Sequence, residues 1–414
     1  MLILVLIISV AALACDKDVA YTSQASSSVK AVPVKPLVDP CALSDGSIVT
    51  ITADSTFIGK FLFPPYFLTK ISTDGTVTSA EIKDLYDKTI YYNELKLTTN
   101  GNDDIFVENC WQYHKSDILK FDKDLNLIFQ ANALQCVTTG APLRDGGYAM
   151  FASNEYGERP QNDIIGLKIF DGGGQAKQEI TQCSLLRHGE GLSILKTSTI
   201  GDDRIIFYAT QNSTTNATFR IYTLDGKIKR YGELKGVTGD DIRYRTKLFS
   251  IGEHLYAAMS DTTFKSCRIT KLGVRHDTVF SKVVDISYIF SITQQDGMIT
   301  IVGPAGPFLP QRKDSPFGYV VSRIKPYLSD ITGKIITMDP SNGEIANTTT
   351  ISLEGSTVPY AATAAQDGYN VMMSRIFADD INGGIEWLYN DKIYAYHVDD
   401  LKQLQLTQKE QAAK

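Results

Sequence analysis

A paired turn-and-strand signal recurs seven times along the chain, and no other feature constrains the fold as strongly. The first member of each pair is a tight turn rich in Gly, Asp and Asn that launches an apolar strand. These read SDGSIVTITAD from Ser44, GNDDIFVEN from Gly101, DGGYAMFAS from Asp145, GDDRIIFYAT from Gly201, IGEHLYAAMS from Ile251, QDGMITIVG from Gln295 and QDGYNVMMS from Gln366. The second member is another strand ending in a second turn: FLTKISTDGTV, ILKFDKDLNLI, GLKIFDGGGQA, FRIYTLDGKIK, CRITKLGVRHD, IITMDPSNGEI and IYAYHVDDLKQL. A period of roughly fifty residues means that one small supersecondary unit is copied and stacked.

Within each unit the apolar residues alternate or run in short β-rich bursts bounded by turn residues. Asp-Gly and Asn-Gly supply the positive φ that tight hairpins require. Helical periodicity is scarce, with Glu81–Lys88 and the C-terminal tail as the only modest stretches. Hairpin units repeated in a chain of 414 residues predict an all-β protein closed as a β-propeller over residues 39–408. That architecture leaves only short, protected strand edges. Seven blades are expected, with six or eight as the alternative counts. DGGYAMFAS and QDGYNVMMS, each followed by an ILKFD-like strand, resemble the repeats of bacterial propeller proteins over roughly residues 40–405; the resemblance implies a fold and no particular activity.

The N-terminus carries a separate signal. Met1 to Ala14 is apolar and ends in small residues, too short for the roughly 20 residues of a membrane span, so it reads as a signal peptide. The string AALAC resembles the lipobox of bacterial lipoproteins, which implies cleavage before Cys15 and a lipid on its thiol. Residues 15–38 are polar and contain Ser and Pro, and are expected to form a flexible tether. Residues 409–414 form a tail. The expected location is the bacterial cell envelope, as an outer membrane lipoprotein, with the membrane as a partner through Cys15. Asp16-Lys17-Asp18 leaves the face open.

Naming the four strands of a blade A to D from the axis outward makes the repeat a map. The first set of turns joins A to B and the second joins C to D, so both lie on one face of the disc. The B–C and D–A loops gather on the other, where length and composition vary. That face collects Trp111, Tyr113, His114, Arg187, His188, Arg243, Arg245, Tyr288, Tyr360 and Trp387, the candidate ligand-binding residues. It also receives an insertion of about thirty residues at Pro304–Gly333 and another around Trp387. Aromatics and Arg are the types that dominate binding hot spots.

Bulk properties narrow the function classes. A net charge of −6 argues against nucleic acid, whose phosphates call for a basic face. No P-loop, GxSxG elbow, HExxH or Cys/His cluster is present, and no catalytic residue is assigned. No cofactor is expected. Calcium is the one ion with candidate ligands: Asp379, Asp380 and Asn382, ahead of the turn pairs Asp103–Asp104 and Asp202–Asp203. Lipidation of Cys15 would leave five cysteines, with Cys110–Cys136 the pairing to test first. The sequence therefore predicts a binding or scaffold protein whose loop face takes a glycan, peptide or protein. A propeller-type lyase, lactonase or hydrolase at the channel mouth, and an envelope-assembly factor, are the alternatives.

Overall fold

The computed structural model describes residues 20–22, 30–32, 34, 36, 38–53, 66–82, 94–110, 116–133, 137–153, 165–180, 193–210, 215–306, 320–321, 332–352, 356–365, 368–381 and 384–399. These residues form seven separate sheets, one for each predicted unit, over residues 41–81, 94–133, 137–180, 193–238, 246–284, 291–352 and 356–399. Five have four strands and two have five. The innermost strands neighbour one another around a ring that closes between Ser356–Ala365 and Cys41–Ala42. The chain is a β-propeller, and the sheets are blades 1 to 7.

Hydrophobic core lies between the blades. Val49, Ile51 and Leu68 of blade 1 pack on Ile105, Val107 and Leu119 of blade 2. On the other side of blade 2, Phe106 and Ile118 meet Tyr148 and Met150 of blade 3. Strand alternation thus sends neighbouring residues into different interfaces. Both faces of a B strand are buried, so strands such as Arg204–Thr210 read as continuous apolar runs.

The turn faces fall where the repeat places them. A Cβ built on Gly172, in the C–D turn of blade 3, would lie 3.3 Å from the Asp145 carbonyl in that blade's A–B turn. Most turns are longer than two-residue hairpins. In blade 1 the Leu43 N–H donates to Ser47 and the Gly46 N–H to Leu43, with Gly46 at φ +83°. This is a type I turn followed by a left-handed residue. Asp45 accepts the Ser47 N–H at 2.9 Å, the side-chain mimic of a turn that makes Asp frequent there.

Polar bonds on this face stitch blade to blade. The Ser44 N–H donates to Asp103 at 2.8 Å, Asn102 to the Arg144 carbonyl at 2.7 Å, and Arg144 pairs with Asp202. Three C-strand lysines repeat the motif: Lys70 donates to the Lys123 carbonyl, Lys120 to Gly146 and Lys271 to Pro340.

The N-terminal region departs from a simple tether. Lys30–Val32 pairs antiparallel with Ile393–Ala395 and supplies the fourth strand of blade 7. Ala20–Thr22 pairs parallel with Thr350–Ser352 at the edge of blade 6. Blade 7 therefore takes its outer strand from upstream of the ring, where IYAYHVDDLKQL had pointed to one downstream. Residues 1–19, which include Cys15 and the stretch read from the sequence as a signal peptide, lie outside the described residues, as do 400–414.

Candidate functional site

Two arrangements on the variable side of the ring bear on function. The first lies in the central channel. Lys247 belongs to Thr246–Ile251, the inner strand of blade 5, and its Nζ reaches Asp39 Oδ2 of blade 1 at 3.0 Å. Tyr288, from the D–A connection between blades 5 and 6, donates its hydroxyl to the same Asp39 oxygen at 3.0 Å. The Lys247 ammonium also sits 5.0 Å from the Tyr288 ring centroid and 5.2 Å from that of Phe290, within cation–π range. Tyr360 stands edge-on to Phe290 at 5.0 Å. Lys247 and Asp39 are both 22% exposed, so the pair faces a partly wet channel.

Cys41, next to this cluster, donates its thiol to the Leu97 carbonyl at 3.4 Å. Burial pushes that thiol up to about 12, with Asp39 adding to the rise and Lys247 opposing it. It remains protonated at neutral pH and is no nucleophile. Burial holds the Cys267 thiol up at about 11.

The second arrangement is built from interruptions. The hairpin of Gly368–Ile381 and Gly384–Asp399 runs beyond its blade, and Trp387 pairs there with Ala378. A short strand from the blade 6 insertion, Val320–Val321, adds to it: Val320 faces Leu388 and Val321 faces Trp387. The two insertions that the sequence placed on one face are thus joined through backbone pairing.

The predicted residues divide accordingly. Trp111, Tyr113, His114, Arg187 and His188 lie outside the described residues. Arg243 and Tyr244 are exposed on one turn of π-helix, Asp241–Arg245, and the Arg243 guanidinium lies 6.0 Å from the Tyr244 ring centroid. Arg245 has a structural task, since it pairs with Asp241 and donates to the Ser260 carbonyl at 3.2 Å. Tyr288 positions Asp39. Tyr360, expected in a loop, is 1% exposed on the inner strand of blade 7, where ring closure packs it on Phe290.

The turn carboxylates considered for calcium are engaged. Asp103 binds Ser44, Asp104 pairs with Lys120, Asp202 with Arg144 and Asp203 with Arg204. Asp379 and Asp380 are in strand, facing Glu386 and Ile385. His276, in the C–D turn of blade 5, stacks on Phe219 of blade 4 at 3.8 Å and is hydrogen-bonded to the Tyr208 hydroxyl at 3.1 Å. Its blade's turn is pressed onto the neighbouring blade, which withdraws the ring from water.

Lys247 and Asp39 carried no motif. For Lys247 the signal was positional: Lys96, Lys196 and Lys247 each stand five residues before a turn glycine, at Gly101, Gly201 and Gly252.

No protein-family model matches the chain, and no curated protein matches it. Among solved structures, the chain is similar to the WD40 β-propeller domain of Doa1, at 9% identity and a TM-score of 0.44, covering 89% of this chain and 97% of that one. It is also similar to an uncharacterised protein of Listeria monocytogenes EGD-e, at 9% identity and 0.41, covering 86% and 93%. A prolyl endopeptidase matches at 9% identity and 0.46, where this chain covers 86% of itself and 50% of the longer protein.

Proposed function

We propose that this chain is an exported, lipid-anchored propeller that acts as a binding or scaffold protein through its variable face, with a glycan, peptide or protein as ligand. The carrying observation is the pairing of Val320–Val321 against Trp387–Leu388. Two insertions from different blades are held as one platform around an aromatic residue, whereas the opposite face is spent on blade-to-blade bonds. Rigid elements present a binding residue more accurately than a free loop does. The exposed Arg243–Tyr244 pair adds a second polar-aromatic element to the same side. Function of this kind lives in what is grafted on the fold.

The anchor part of the reading rests on AALAC and Cys15. Metabolic labelling with a palmitate analogue should be lost in Cys15→Ala; labelling that persists removes the anchor. The binding part is tested on arrays of oligosaccharides and peptides with the mature protein. Saturable binding to an array member, lost in Trp387→Ala with an unchanged melt, is the expected result. Binding that survives this substitution and the further exchange of Arg243 and Tyr244 for Ala overturns it.

A further inference from the structure

The ring of inner strands carries a charge pattern separate from the platform at Trp387. Lys96 pairs with Glu108, Lys196 with Tyr208 and Lys247 with Ala258. In each blade the lysine stands four residues before the residue that closes the A–B turn: Asn100 and Ile200, whose N–H groups donate across it, and Ile251, which pairs with His254. The three lysines therefore occupy one level of the ring, on blades 2, 4 and 5. Asp39 belongs to the same level on blade 1, since it precedes the turn residue Leu43 by the interval that separates Lys96 from Asn100.

Two hydroxyl residues complete most of the level. Thr139 on blade 3 faces Phe151, and Ser291 on blade 6 faces Val302, at the same register. Ser291 is 5% exposed, and its Oγ has no hydrogen-bond partner among the described residues. A buried hydroxyl left so is costly and calls for an acceptor or donor at that level. Lys247 shows where this register leads, because its ammonium crosses to blade 1. Lys96, Lys196 and Lys247 are all half-buried, and two carboxylates stand in the level against these three cations, Asp39 beside Lys247 and Glu108 across from Lys96. A low-dielectric channel with an excess of one charge focuses its field on the axis.

We propose that this level of the channel binds a compact multivalent oxyanion, of the phosphate or polycarboxylate class, through Lys96, Lys196 and Lys247 with Ser291 as a hydroxyl donor. Lys96 and Lys196 already interact within the protein, so the anion enters by exchanging those partners. Lysine suits the task as a mobile point charge with three donors. The proposal does not depend on the platform at Trp387, which lies on an insertion outside this ring.

Isothermal titration of the full mature chain with sodium pyrophosphate and with trisodium citrate tests it and separates the two chemistries. At least one of them should bind saturably, more weakly at high salt. The affinity should fall at least about tenfold in Lys96→Met with Lys196→Met, persist in Lys196→Arg and be unchanged in Trp387→Ala. If the double variant fails to melt cooperatively, Lys196→Gln alone carries the comparison. No binding of either anion at about 10 mM, a concentration at which even millimolar sites show, overturns the proposal. So does equal affinity in a folded lysine variant.

Discussion

Lys247 of blade 5 and Asp39 of blade 1 meet across the central channel, Nζ to Oδ2 at 3.0 Å. The pair links two blades that are not neighbours in the ring, and Tyr288 fixes the carboxylate from a third direction. Removing one member should therefore cost more than removing both. Lys247→Met leaves a half-buried carboxylate without its cation, and a loss of about 1–3 kcal/mol in urea unfolding is expected. Adding Asp39→Asn should recover part of it. A strictly additive double variant would show that the two residues do not couple.

Lys120 makes the corresponding test on the turn face. Its side chain is 7% exposed, pairs with Asp104 at 3.1 Å and donates to the Gly146 carbonyl at 2.9 Å. Lys120→Met takes the cation from Asp104, which keeps only the Asn100 amide, and removes this donor from the Gly146 carbonyl; a loss of about 2–4 kcal/mol is expected in the same assay. Gly146 stands at φ +84°, and a Cβ there would come within 2.7 Å of Lys120 Nζ. Gly146→Ala should therefore destabilise through both backbone and contact.

These turns were readable in the sequence because their chemistry is local: Asp45-Gly46 and Asp145-Gly146 need only their own backbone to declare a hairpin. The apolar bursts were readable for the same reason, with Phe106 and Val107 serving opposite interfaces of one blade. What was not readable depends on closure of the ring. Asp39 and Lys247 become neighbours only when blade 1 returns to the far blades. Tyr360 looked like a loop aromatic because nothing local shows that Phe290 will cover it. The outer strand of blade 7 was misplaced for a similar reason, since Lys30–Val32 reaches Ile393–Ala395 from the other end of the chain.

That closure predicts a stability role for the N-terminal region. A chain lacking residues 16–33 removes the outer strand of blade 7 and exposes the edge of Gly384–Asp399. Its thermal midpoint should fall by several degrees, about the shift expected for a loss of 1–2 kcal/mol in a chain this size. Limited proteolysis should then begin in blade 7. An unchanged midpoint would mean that the strand is dispensable.

His276 predicts an acid limb. Burial holds its imidazole down at about 4, with Arg230 lowering it further, against an ordinary value of about 6.5. The unfolded chain takes up that proton before the folded one does. This contribution to stability is present above about pH 6.5 and is lost as pH falls towards 4. His276→Phe keeps the stack on Phe219 and should flatten the urea midpoint between those two values relative to the parent protein. An identical slope in the variant would place the acid sensitivity elsewhere.

Trp387 is the central residue of the proposed ligand platform, and the protein's two tryptophans make that role directly measurable. In Trp111→Phe, emission reports Trp387 alone. The decisive measurement is acrylamide quenching of that emission with and without the oligosaccharide or peptide that binds most strongly on the arrays. Efficient quenching of the free protein and protection on saturation are predicted. Quenching that is the same with and without a saturating ligand would contradict the platform.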